Sequence, residues 1–175
     1  MRHTCATCAV VALIIAGCGE QGQPGSSTAA TPVNLTAYQA KFSLTDEPEG
    51  AIGVLAAREK SKTDDTIVVV GRIGGTAKPW IEGRAAFVMA DASIVTEETG
   101  HCEEGCTDAC CAHLKELKGF TALVKIVDEE GRTLPADARQ LFAVSERDMV
   151  VVRGRAQRDD GGNLTILADG VYVRR

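Results

Sequence analysis

Four cysteines and two histidines stand within thirteen residues near the middle of the chain: His101, Cys102, Cys106, Cys110, Cys111 and His113. Their types and spacing suit three kinds of chemistry. In a helix, Cys102, Cys106 and Cys110 share one face at i, i+4 and i+8, with His113 a turn further along. Three thiolates and an imidazole make a tetrahedral zinc shell, and adjacent thiolates also suit copper(I). Four thiolates could instead hold an iron–sulfur cluster. No standard zinc or ferredoxin spacing is matched, so the pattern points to metal without selecting one. The second use is structural, since four cysteines form an even set that an oxidising compartment turns into disulfides. Cys110 and Cys111 are poor partners for each other, because the single peptide between them strains the bridge. The third use is a redox pair. Against it, Asp91, Glu97, Glu98, Glu103, Glu104 and Asp108 make the surroundings acidic, which raises thiol pKa and disfavours a reactive thiolate.

The remaining cysteines, Cys5, Cys8 and Cys18, lie at the amino terminus. Arg2 supplies a short positive region, and Ala9 to Ala16 an apolar run of signal-peptide length, too short to span a bilayer. Ile15-Ala16-Gly17-Cys18 resembles the lipobox of bacterial lipoproteins, with isoleucine where leucine is usual. That resemblance implies a signal peptide over residues 1–18, lipid attachment at Cys18 and loss of Cys5 and Cys8. The mature soluble part then keeps only the four central cysteines, with His101 and His113 as its only histidines. Gly19 stands where a retention signal usually has Asp, which implies the periplasmic face of the outer membrane. Residues 19–45 are expected to be a flexible tether. The Gly, Ser, Thr, Pro and Gln of residues 19–34 offer too little apolar surface to offset ordering entropy. Residues 46–175 are then one domain.

Loss of Arg2 leaves 18 Lys and Arg against 24 Asp and Glu, a balance of −6. Polyanion binders show the reverse, and aromatic residues, 4% of the chain, are too few for a base-stacking platform. Nucleic acid is therefore not an expected partner. The chain has no GxSxG, HExxH, phosphate-binding glycine loop or CxxCH haem motif, and no redox CxxC follows a strand. Catalysis is thus less expected than binding. The lone tryptophan, Trp80, follows Lys78-Pro79; it is either a barrel plug or a ring on which a ligand stacks. Arg72, Arg84, Arg153 and Arg155 alternate with apolar residues, as on the solvent face of a barrel or in a ligand groove.

The elements that must position these residues read as strands. Residues 66–73, 84–95, 120–127, 149–156 and 163–174 are rich in β-branched residues and end at turn signals, of which Asp159-Asp160-Gly161-Gly162 is the strongest. Residues 47–62 predict a short amphipathic helix, and 135–144 another between the third and fourth strands. Five strands in this order resemble an OB-fold barrel; the alternative is a small β-sandwich or another five-stranded barrel. The resemblance spans about residues 64–175 and includes the endings Gly71-Arg72-Ile73-Gly74 and Val152-Arg153-Gly154-Arg155. It is to OB-fold domains of exported bacterial proteins, and to a group of uncharacterised predicted lipoproteins with a cysteine-rich loop. The exported OB-fold haem chaperone has a comparable strand order but depends on a histidine near its carboxyl end. Residues 170–175 here have none, so haem handling is not implied.

The fold class expected is thus all-β: a five-stranded OB-fold-like barrel, a short N-terminal helix, and a Cys-rich insertion between strands 2 and 3. The function expected is that of a lipid-anchored, non-catalytic binding module of the cell envelope. Its partner is an unspecified protein or small molecule, and its Cys/His cluster is a disulfide staple or a zinc or copper site. The alternative is an envelope thiol-redox or metal-handling protein using the same cluster.

Overall fold

The computed structural model describes residues 34–93 and 117–175. The signal sequence expected over residues 1–18, with Cys18, and the whole Cys/His cluster lie outside the described residues. Among the described residues ten elements follow in order: α1 (Leu35–Phe42), β1 (Ile52–Gly53), α2 (Val54–Lys60), β2 (Thr66–Ile73), β3 (Ala86–Ala90), a 3-10 turn (Leu117–Phe120), β4 (Thr121–Ile126), α3 (Ala138–Phe142), β5 (Met149–Arg158) and β6 (Leu164–Arg174). The sheet runs β1-β2-β3-β4-β6-β5, and β5 pairs back onto β2. Five strands therefore close a barrel, with antiparallel neighbours throughout except the parallel β4–β6 pair. Strand order, closure and the helix between β4 and β5 match the OB-fold-like barrel expected from sequence.

Alternation explains the strands. In β2, Ile67, Val69, Gly71 and Ile73 face inward while Val68, Val70 and Arg72 are half-buried on the outer face. β4 repeats this with Ala122, Val124 and Ile126 inside. The core adds Phe87, Met89, Val150, Val152, Leu164 and Ile166, all fully buried. Each such side chain contributes roughly 1.5–3 kcal/mol relative to exposure. The β5 register slips between Arg153 and Gly154. A Cβ on Gly154 would sit 2.3 Å from the Leu167 carbonyl oxygen, so only glycine lets β5 bend this closely over β6.

Three expectations need correction at their boundaries. The tether expected to residue 45 holds α1, whose Leu35, Tyr38 and Phe42 pack on the core. Asn34 caps it, its side chain accepting from the Ala37 N–H at 3.1 Å, and the chain beyond pairs Ser43 with Val171. The helix expected over 47–62 begins only at Val54. Gly50 takes a left-handed φ of 76°, and Ile52–Gly53 instead forms a two-residue strand parallel to Val69–Val70. The strand expected over 84–95 starts at Ala86. It stops where Asp91 turns its carboxylate onto the Ser93 N–H at 3.0 Å, an Asx turn that competes with the ladder.

The barrel ends differ. At one lie the end of β4 and helix α3, whose Leu141 and Phe142 are buried. Phe42 of α1 is buried too, and Lys41 pairs with Glu129, just past β4, at 2.8 Å. At the other lie the start of β4, the end of β3, the β5–β6 turn and α2.

Candidate functional site at the base of the Cys/His loop

The segment carrying the cysteines leaves after β3 and returns through the 3-10 turn before β4. Its base is closed: Ala90 pairs with Thr121, and the Asp91 N–H donates to the Phe120 carbonyl at 2.9 Å. Expectation placed the cluster between the second and third barrel strands, and these two feet are the ends of those strands.

Helix α2 braces both feet. At its N-terminal end Gly53 offers no capping side chain, and the Asp91 carboxylate takes that role, accepting from the Leu55 N–H at 2.8 Å. Asp91 also accepts from the Ser93 hydroxyl at 2.6 Å, and it is only 7% exposed. Burial by itself would raise its pKa; bonds from the Ser93 hydroxyl and from the Leu55, Ser93 and Val54 N–H groups outweigh that and hold it below the ordinary aspartate value. A carboxylate at the start of a helix is also favoured by the helix dipole. A Cβ at Gly53 would lie 2.7 Å from the Asp91 Oδ2, so the glycine makes room for the acid. From the same helix, Arg58 donates to the Thr121 carbonyl at 2.9 Å and to the Gly162 carbonyl in the β5–β6 turn at 3.2 Å. Arg158 donates to Gly162 at 3.0 Å and to the Arg58 carbonyl. Desolvation, then the charge of Arg158, lowers the pKa of Arg58; Asp159 partly offsets this.

Of the residues singled out in sequence, Cys18, His101, Cys102, Cys106, Cys110, Cys111 and His113 lie outside the described residues. Trp80 is half-buried rather than a central plug. It bridges Phe87, ring to ring at 6.1 Å, and the Arg139 guanidinium lies 5.6 Å from its ring centroid. Asp137 and Glu82 in turn hold Arg139 at the barrel's other end. Arg84, Arg153 and Arg155 are exposed, and Arg153 pairs with Asp169 at 2.7 Å. Arg72, opposite Ala90 at the loop base, is half-buried, and its Nε lacks a hydrogen-bond partner among the described residues. Asp91 was visible in sequence only as one acid among several. Arg58 and Arg158, a hundred residues apart, gave no sequence signal; only closure of the barrel brings them together.

Among the described residues no group of three or more His, Cys, Asp or Glu is placed to hold a metal. Nor is any helix among them long and apolar enough to cross a membrane. On the outer face of β3 and β4, the half-buried side chains are Val88, Thr121, Leu123 and Lys125. No protein-family model matches the chain, and no curated protein matches it in sequence.

Proposed function

We propose that this protein is an exported, lipid-anchored, non-catalytic OB-fold-type module of the cell envelope. Cys18 carries the lipid at the periplasmic face of the outer membrane, and residues 19–33 form the spacer. Its chemistry resides in the loop with Cys102, Cys106, Cys110, Cys111, His101 and His113, as a disulfide staple or as a zinc or copper site. The observation that carries this reading is the closed, doubly braced base of the loop. The barrel completes its ladders without residues 94–116, so the insertion is free to be specialised on a rigid scaffold.

The outer face also supports a partner other than nucleic acid. In OB-folds the face of the second and third barrel strands, with the loops beside it, takes up oligonucleotides. Here that face is aliphatic with a single lysine, and the β5–β6 turn brings Asp159 and Asp160. A protein or small molecule fits it better than a polyanion.

Counting thiols and bound metal on purified, non-reduced protein tests the reading of the loop. Zero free thiols without metal establishes the staple; four thiols protected by stoichiometric zinc or copper establishes the metal site. Free, readily alkylated thiols with no metal would overturn both in favour of thiol exchange. For the anchor, the Cys18→Ala chain is expected to lose lipid and membrane association, and normal anchoring of that variant would refute the lipobox.

A further inference from the structure

We propose that Arg58 and Arg158 form a binding site for a phosphate-type oxyanion at the base of the Cys/His loop. Both guanidinium groups reach the same acceptor, the Gly162 carbonyl, at 3.2 and 3.0 Å. Two like charges are thereby held side by side and half-buried, where water screens them less than on an open surface. Neither makes an ion pair with any carboxylate among the described residues. Asp159 acts on Arg58 through its charge, and its two oxygens accept from the Asn163 N–H and side-chain amide, each at 2.8 Å.

Structural duty does not use up the pair. Each guanidinium carries five N–H donors, and among the described residues the two together donate to three main-chain oxygens, those of Thr121, Gly162 and Arg58. Those bonds fix both planar forks in place before a ligand arrives, which lowers the entropy cost of binding. A bridging anion would relieve the repulsion between the two charges. A single carboxylate has oxygens for one fork, whereas a phosphate group offers acceptors to both, and guanidinium forks match it bidentately. The ligand class is therefore a phosphate, either free in solution or carried on a lipid headgroup. This site stands independently of how the cysteines are used.

The test titrates full-length protein with inorganic phosphate and, separately, with the water-soluble headgroup diester glycerophosphoglycerol. Chloride at equal ionic strength is the blank, and calorimetry with thermal melting is the readout. Saturable binding is expected, with a rise in melting temperature. Arg158→Gln and Arg58→Gln should each weaken it about tenfold or more, the scale set by losing one charged fork. Arg153→Gln, which alters an arginine paired elsewhere with Asp169, should leave it unchanged. Preference for inorganic phosphate marks a free ligand, and preference for the diester marks a headgroup. Arg58 also holds Thr121, so its loss can loosen the fold. Arg158→Lys keeps the charge, removes the fork, and should still weaken binding. Absence of saturable binding to either compound would overturn the proposal. So would equal affinity in wild type and Arg158→Gln, or an effect of chloride as large as that of phosphate.

Discussion

The two ends of this barrel are closed by different physics. At the α1–α3 end the seal is apolar: Phe42, Leu141 and Phe142 fill the opening, and the Lys41–Glu129 ion pair lies outside in solvent. At the loop end α2 contributes Val54 and Ala57 to the core, but what fixes its position is polar. A buried carboxylate caps it, and two arginines tie it to main-chain oxygens of β4 and of the β5–β6 turn. Apolar contact is non-directional and tolerates repacking. Hydrogen bonds to carbonyls and N–H groups set distances and angles. The α1–α3 end is closed by the first, and the base of the Cys/His segment is set by the second.

Cutting the apolar seal should have the largest effect. Phe142→Ala is expected to cost about 3–5 kcal/mol of global stability, by lost transfer energy and an unfilled cavity, read as a lower urea midpoint. A loss below about 1 kcal/mol would mean that α3 is peripheral. Next comes the loop. Replacing Cys102, Cys106, Cys110 and Cys111 together by Ser is expected to leave the strand signature in circular dichroism. It should open residues 99–118 to protease, and a short-loop disulfide contributes up to about 3 kcal/mol to this difference. Global unfolding of that variant would show that the cluster belongs to the core and that the loop end is no mere insertion point.

Asp91→Ala should follow, at about 1–3 kcal/mol, because it strips a buried cap and leaves the Leu55 and Ser93 N–H groups unpaired. The acid also gives the loop end its own pH dependence. Its folded pKa is depressed, so its contribution is complete above the ordinary aspartate range and disappears as pH falls through the lower folded value. The stability gap between wild type and Asp91→Asn should therefore be full at neutral pH and shrink in acid. A gap that is constant with pH would sink this assignment. The smallest effect belongs to Lys41→Ala, which removes an ion pair exposed to water. Its melting point is expected to match wild type within repeat error, and a clear drop would mean that the apolar end also depends on charge.

Much of this architecture is written locally. Thr66–Ile73 forms the strand its β-branched run predicts, and Asp159 to Asn163 makes the predicted hairpin turn, with Gly162 at a φ of 74°. Period-two alternation and turn chemistry act over a few residues, so neighbouring side chains suffice to specify them. The cysteine spacing is equally local, and it fixes which atoms are available for metal or disulfide chemistry. Helix α1 was hidden because its apolar positions, Leu35, Tyr38 and Phe42, are sparse and follow a polar stretch; contact with β6 and α3 gives them something to pack against. The capping of α2 by Asp91 spans 36 residues, and the meeting of Arg58 with Arg158 spans 100. Such pairings depend on barrel closure, strand register and the bend at Gly154, and a linear pattern carries no record of those distances. Sequence alone therefore determined the five barrel strands, their order and the donors in the loop. Tertiary structure decided which acid and which two arginines hold that loop's base, because only a closed barrel brings those side chains within bonding distance.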